Sequence, residues 1–236
     1  MRQASAAFWR GKQVLLTGHT GFKGAWLALL LERLGAEVMG FALAPAPGSS
    51  AFAALRPAVV SHIGDLRDPA AVQAAVQAAR PEIVLHLAAQ ALVGCGYRDP
   101  EGTFASNVTG TINLMQALRG AGAKAALIIT SDKVYRNDNQ GRPFREDDPL
   151  GGHDPYSASK AACEIAVASW RGSFGGEIGT IATARAGNVI GGGDFGAERL
   201  IPDLVRARIA GETLVIRRPD ATRPFQHVLD VLRGYL

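Results

Sequence analysis

Seven residues, Gly18-His19-Thr20-Gly21-Phe22-Lys23-Gly24, join an apolar run, Gln13 to Thr17, to an Ala/Leu-rich stretch from Phe22 to Leu34. A glycine-rich turn between a buried strand and a helix leaves little freedom in the local fold. The backbone must turn tightly, the helix must start close against the strand, and its amino terminus faces outward with partial positive charge. A pyrophosphate is the group that suits such a place. Gly18, Thr20, Gly21, Phe22, Lys23 and Gly24 are therefore candidate cofactor-binding residues. A purely structural turn would also use these glycines. It is the strand before and the helix after that favour a dinucleotide.

The rest of the chain repeats the same alternation. Glu37–Leu43, Val59–Ile63, Ile83–Leu87, Leu127–Thr130 and Thr180–Arg185 read as strands. Pro69–Ala79, Glu101–Gly120 and Tyr156–Trp170 read as helices between them. Continuous apolar strands separated by helices predict an α/β fold, a doubly wound parallel sheet covered on both faces. Residues 1–185 are expected to form the dinucleotide-binding domain and 186–236 the start of a substrate lobe. Two long loops, Ala44–Pro57 and Arg136–Pro155, are candidate lids or binding loops.

Composition narrows the classes of function. No apolar run reaches the roughly 18 residues of a membrane span, and Met1 to Trp9 lacks the apolar stretch of a secretory leader. Cys95 and Cys163 have no metal-ligand spacing and read as reduced thiols, so a cytoplasmic protein without a bound metal is expected. The net charge of +4 is spread along the chain without a basic stripe, which argues against nucleic acid and suits an anionic small molecule.

Two further segments support the cofactor. Gly64-Asp65-Leu66 follows the third strand, where a carboxylate can accept a bond from an adenine amino group. His86-Leu87-Ala88-Ala89-Gln90 ends the fourth strand with small residues that leave room for a ligand. No acid ends the second strand at Ala42-Leu43-Ala44, where a ribose-binding carboxylate would stand, and no arginine is placed for a 2′-phosphate. The local residues leave NAD and NADP both open.

Tyr156 and Lys160 lie four apart and share a helix face. A phenol ionises near pH 10, so it needs a neighbouring cation to act as a base at neutral pH. Ser131, after the fifth strand, can bond the oxygen of an alcohol substrate. Asp132 and Lys133 place an acid and a possible base side by side. In a regular strand they would diverge, but at a strand end both can face one ligand. A solvated loop pair is an equal reading of those two residues by themselves.

With these motifs placed, the chain resembles the extended short-chain dehydrogenase/reductases of the nucleotide-sugar 4,6-dehydratase group, and within it the members acting on CDP-glucose. The likeness is carried by Phe8-Trp9-Arg10-Gly11-Lys12, Thr17 to Gly24, His62-Ile63-Gly64-Asp65, His86 to Gln90 and Thr130-Ser131-Asp132-Lys133. It continues through Asp154 to Lys160, Arg185 to Asp194, Arg199 to Asp203 and Arg223 to Val228. The Asp-Lys pair is its most discriminating part, since dTDP-glucose dehydratases carry Asp-Glu there.

The resemblance implies NAD as cofactor and Ser131, Asp132, Lys133, Tyr156 and Lys160 as catalytic. Asp65, Leu66, Leu87, Ala88, Ala89, Gln90 and Asn107 then line the cofactor, as do Tyr156 and Lys160. Gln90, Asn188, Arg199, Ile201 and Arg223 would touch a nucleotide sugar. The bland alternatives are a capped turn for Asn188 and surface charges for the arginines. The family likeness further implies a homodimer or higher homo-oligomer and a place in deoxysugar and lipopolysaccharide biosynthesis. Two departures stand out. Gly94 replaces a family arginine, and the family is much longer, so the substrate lobe is expected to be incomplete after Leu236. A sugar epimerase or reductase, or a non-catalytic NAD-binding protein, are the competing expectations.

Overall fold

The computed structural model describes residues 5–45, 48, 50–138, 141–216 and 219–236. Met1 to Ala4, in the segment read for a leader, and a few positions of both long loops lie outside these.

A short helix, α1 (Ala6–Trp9), leads into β1 (Gln13–Thr17), α2 (Phe22–Arg33), β2 (Glu37–Ala42), α3 (Ala51–Leu55), β3 (Val60–Ile63), α4 (Pro69–Ala79) and β4 (Ile83–His86). Next come α5 (Val93–Arg98), α6 (Pro100–Phe104), a π-helical turn (105–109) and α7 (Gly110–Leu118). The chain continues with β5 (Ala125–Ile129), a 3₁₀ turn (132–134), α8 (Pro155–Ile178), β6 (Thr180–Ala184), β7 (Asn188–Ile190), α9 (Leu200–Ala210), β8 (Phe225–His227) and α10 (Val228–Tyr235).

Six strands form one sheet in the order β3-β2-β1-β4-β5-β6, every pairing parallel. The order reverses between β1 and β4, so the glycine turn after β1 opens at the crevice where such sheets bind ligands. Apolar clusters cover both faces. Leu15, Val84 and Ile128 pack under α4, α7 and α8 on one face, and Val14, Leu16 and Leu85 under α2 on the other. The doubly wound parallel sheet expected from the sequence is the fold observed.

Local chemistry explains where the functional helices begin. Asp154 caps α8 by accepting from the Ser157 amide at 3.0 Å, and Pro155 takes the first helical position, where no amide is needed. The helix runs on to Ile178, past the expected end at Trp170. Trp170 and Phe174 pack edge-on four residues apart, and Ile178 is fully buried, which outweighs the glycines of that stretch.

The expected single helix Glu101–Gly120 is instead three pieces, α6, the π turn and α7. The segment 186–236, read as the start of a separate lobe, adds β7 and β8 as a small parallel pair. It also sends Val228 and Leu232 of α10 into the same core as Leu27 and Leu31 of α2.

Candidate active site

Gly18 adopts φ +78°, and a Cβ there would come within 2.6 Å of the Ala88 amide nitrogen. A Cβ on Gly24 would reach 2.0 Å from the Gly18 carbonyl. These two glycines let the turn cross the sheet and bring α2 down onto it. Gly21 is different, with only the Gly18 carbonyl near its would-be Cβ, at 3.4 Å. The amino terminus of α2 has no side-chain cap and no acid in its first turn. An uncapped, unneutralised helix end is a ready anion site, and the donors there fit the pyrophosphate of NAD.

Behind this turn a polar relay fixes the strand ends. His86 bonds Thr17 Oγ1 at 2.7 Å through Nδ1 and Thr111 Oγ1 at 3.0 Å through Nε2. Complete burial pushes the His86 imidazole down to about 3, so it stays neutral. The Ala88 amide donates to Thr17 Oγ1, holding the Leu87-Ala88-Ala89 segment against the turn.

The π turn carries Asn107. Its carboxamide accepts from the Gln90 amide at 2.8 Å and donates to the Gln90 carbonyl at 3.0 Å and to Ser159 Oγ at 2.9 Å. Asn107 thus ties the end of β4 to the helix that bears Tyr156 and Lys160. A π turn shifts a side chain off the regular helical register, and such turns concentrate at functional sites.

Gln90 itself donates through Nε2 to Thr103 and accepts from the Leu92 amide through Oε1. Its side chain holds the loop after β4, and it does not line the main cavity. Asp65 also sits apart from that cavity, its carboxylate gripped by Arg67 Nε and Nη2 at 2.6 to 3.1 Å. That hydrogen bonding keeps Asp65 below the usual carboxylate range. Leu66 packs in the core and against Gly110.

A cavity of about 780 Å³ opens beside the turn, lined among others by Lys23, Ser131, Asp132, Lys133, Tyr156 and Asn188. Arg199, Ile201 and Arg223 line it as well, so these expected substrate contacts meet the expected catalytic residues on one wall system.

Strand β5 ends at Ile129, and one 3₁₀ turn follows, capped by Ser131 Oγ accepting from the Lys133 amide. The turn breaks the alternation that would have sent Asp132 and Lys133 to opposite faces. Lys133 Nζ lies 5.9 Å from the centre of the Tyr156 ring, and the residue lines the cleft while remaining exposed. Burial raises the Asp132 carboxyl above its ordinary value, opposed by a hydrogen bond from Ser131 and by the charge of Lys133.

Tyr156 is also pushed up by burial, with the Ser131 hydrogen bond pulling the other way. Lys160 donates from Nζ to the Ile129 carbonyl at 3.0 Å, and burial pulls its ammonium down. Burial thus favours the neutral forms of Asp132, Tyr156 and Lys160.

Sequence reasoning missed three pairs. Glu164, one turn after Lys160 on the inward face of α8, accepts from Arg185 Nε at 2.9 Å and Nη2 at 3.2 Å, and from Thr183. An acid one turn after Lys160, on the same helix face, was the available signal. Asp194 takes both bonds of Arg199 Nη1 at 3.0 Å, which aims that arginine along the cavity wall. Glu198 pairs with Arg98 at 3.1 Å, and its carboxylate fills the space a side chain at Gly94 would occupy. The last two join segments distant in sequence or lie in irregular loops, where no periodicity marks them.

The glycine turn thus opens beside a cavity lined by Ser131, Asp132, Lys133 and Tyr156. The profile of the NAD dependent epimerase/dehydratase family matches residues 14–236, and the chain belongs to that family. Its cofactor is accordingly NAD.

Among individual relatives, the CDP-glucose 4,6-dehydratase of Salmonella typhimurium is 44% identical over 238 residues, covering 97% of this chain and 66% of that protein. A dTDP-glucose 4,6-dehydratase of Xanthomonas campestris is 31% identical over 215 residues, 86% of this chain and 60% of its own. The crystal structure of dTDP-glucose 4,6-dehydratase from Streptomyces venezuelae, solved with NAD bound, matches 94% of this chain and 70% of that one at 26% identity, with a TM-score of 0.84. The chain spans 60 to 66% of the length of these two curated relatives. Among the described residues no helix is long and apolar enough to cross a membrane.

Proposed function

We propose that the protein is a nucleotide-sugar 4,6-dehydratase acting on CDP-glucose, releasing water to give the CDP-linked 4-keto-6-deoxy sugar. The observation that carries this reading is the placement of Asp132 and Lys133 in the same cavity as Tyr156, on a single turn that presents both to one ligand. The 44% identity to a CDP-glucose 4,6-dehydratase supports the choice of nucleotide.

NAD, when bound, supplies hydride acceptance at C4, hydride return at C6 and a positively charged ring beside the phenol. The turn of Gly18 to Gly24 and the amino terminus of α2 would hold its pyrophosphate, and Ala88 and Ala89 would leave room for its ring. Tyr156 takes the proton of the sugar 4-hydroxyl, with Ser131 hydrogen-bonding the same oxygen and Lys160 steadying the phenolate. A 4-keto sugar is acidic at C5. Lys133 would take that proton as a free amine and give one back to C5 when the hydride returns to C6. Asp132, in its protonated form, delivers a proton to the leaving 6-hydroxyl, which departs as water. Burial of Asp132 favours that protonated form. Arg199 and Arg223 suit the diphosphate, and Asn188 suits the sugar.

A homo-oligomeric, cytoplasmic enzyme of deoxysugar biosynthesis is the setting that fits this chemistry. The test is direct. Purified protein with NAD and CDP-glucose should yield a product with the alkaline ultraviolet absorbance of a 4-keto-6-deoxy sugar, and solvent deuterium should enter at C5. Epimerised sugar without that absorbance would favour an epimerase instead. Absence of any product from CDP-glucose, dTDP-glucose and GDP-mannose would refute the dehydratase reading.

A further inference from the structure

Arg185 follows the last residue of β6, and its two chain neighbours hold the backbone around Ser131. The Ala184 carbonyl accepts from the Thr130 amide at 2.9 Å, and the Ala186 carbonyl accepts from the Asp132 amide at 3.0 Å. Between these anchors the Arg185 side chain leaves the sheet and divides its contacts.

On one side it meets α8. Nε and Nη2 donate to Glu164, one turn after Lys160, at 2.9 and 3.2 Å. Glu164 accepts in addition from Thr130 Oγ1, on the residue before Ser131. On the other side Arg185 meets the chain that leaves the 3₁₀ turn. Nη1 donates to the Glu146 carbonyl at 2.9 Å, and the guanidinium stands 4.9 Å from the centre of the Tyr135 ring. Tyr135 directly follows Val134, the last residue of that turn, and its ring stacks on Phe144 with centres 4.6 Å apart.

The loop from this turn to α8 closes on itself beside those contacts. The Gly151 amide donates to the Val134 carbonyl at 2.7 Å, and the Arg136 amide donates to the Pro149 carbonyl at 2.8 Å. Lys133 and Tyr156 lie just outside opposite ends of the loop. A guanidinium can serve a carboxylate, a carbonyl and an aromatic face together, because its donors form one rigid planar fork. A lysine there keeps the charge but has neither fork nor plane.

From this geometry we infer that Arg185 is a positioning residue, which holds the Asp132-Lys133 turn in register with the helix that carries Tyr156 and Lys160. It stands outside the cavity lining and acts through Glu164, Glu146 and Tyr135. The inference rests on the dehydratase reading and extends it to a residue beyond the cavity. In that reaction, oxidation at C4 needs Tyr156 and Lys160. Elimination needs Asp132 and Lys133 aligned on the same hexose, so a shifted turn should harm elimination first.

Two variants of the full chain test this. Arg185→Lys keeps a charge beside Glu164 and gives up the contacts to Glu146 and Tyr135. Tyr135→Leu leaves Arg185 and Glu164 in place, and it serves should Arg185→Lys not fold. Each NAD-loaded protein, in excess, is mixed once with CDP-glucose. The absorbance of NADH follows oxidation, and the alkaline absorbance of quenched samples follows elimination. Such single turnovers report the rates of steps, and a smaller folded fraction alone leaves those rates unchanged. Elimination should slow by about tenfold or more, with oxidation within about threefold of the parent, since small misplacements cost this much. Elimination slowed no more than oxidation would overturn the inference.

Hydrogen exchange of the cofactor-free proteins gives a reading that needs no turnover. Amides of 132–136 and 149–152 should exchange about tenfold faster in both variants, with those of β1 and α2 unchanged. A parent that makes no product from CDP-glucose fails the dehydratase reading, and exchange then decides alone. Unchanged protection of the turn would in that case remove the role given to Arg185.

Discussion

In the proposed reaction, Asp132 and Lys133 are the side chains that would turn simple oxidation into elimination. If they serve as acid and base, Asp132→Asn and Lys133→Ala should each lower dehydration by about 10²- to 10⁴-fold, the usual contribution of such groups. NAD affinity should stay near that of the parent, because neither side chain hydrogen-bonds to the glycine turn. Product formation followed by absorbance, beside a binding titration, separates the two effects. Turnover within threefold of the parent for both variants would place them outside the chemistry. The types of these residues were readable in the chain, as were Tyr156 and Lys160. Their convergence was not, since it depends on a single 3₁₀ turn after Ile129. Gln90 marks the opposite case: its position was identified, but its side chain is committed to Thr103 and Leu92.

At the scale of elements, helix α8 is held to the sheet by one nearly buried ion pair. Glu164 is 6% exposed and takes two bonds from Arg185 and one from Thr183 on the neighbouring strand end. Removing one member of such a pair strands the other charge. Glu164→Ala should therefore cost about 3 to 5 kcal/mol in urea unfolding. Because Tyr156 and Lys160 ride on the same helix, activity should fall with stability. A loss under about 1 kcal/mol would mean that Arg185 finds water or another partner easily.

Helix α10 makes a second test. Leu232 is fully buried against α2, and Leu232→Ala should cost about 2 to 5 kcal/mol. A negligible change would show that the end of the chain does not share the main core. Neither contact was legible in the sequence, because a helix pattern gives the apolar face of a segment but not the partner it meets.

For the molecule as a whole, buried neutral histidine sets an acid limit. His86 holds a folded value of about 3 against an ordinary value near 6.5 in an unfolded chain. Between those values the unfolded state binds the extra proton, so stability is present above about pH 6.5 and is lost as pH falls. From pH 7 to pH 5 this amounts to about 2 kcal/mol. Urea unfolding at both pH values should show the loss, and His86→Asn should reduce it while leaving the share of His19. A parent stability equal at both would contradict the burial of that imidazole. His19, brought down to about 4 by burial, acts in the same direction.

What the sequence determined by itself was local and periodic. The run of apolar strands and helices required a parallel doubly wound sheet, and three glycines at fixed spacing required a turn onto a helix end. Both follow from constraints acting within a few residues: the alternation of side chains, the freedom of a backbone without Cβ, and caps such as Asp154-Pro155. Tertiary structure decided everything that depends on where distant segments meet. It bent Asp132 and Lys133 into one cleft, broke the helix at Asn107 to tie β4 to α8, and folded α10 back onto α2. These outcomes depend on burial and on charge compensation between segments far apart in the chain, quantities that exist only once the chain has closed on itself.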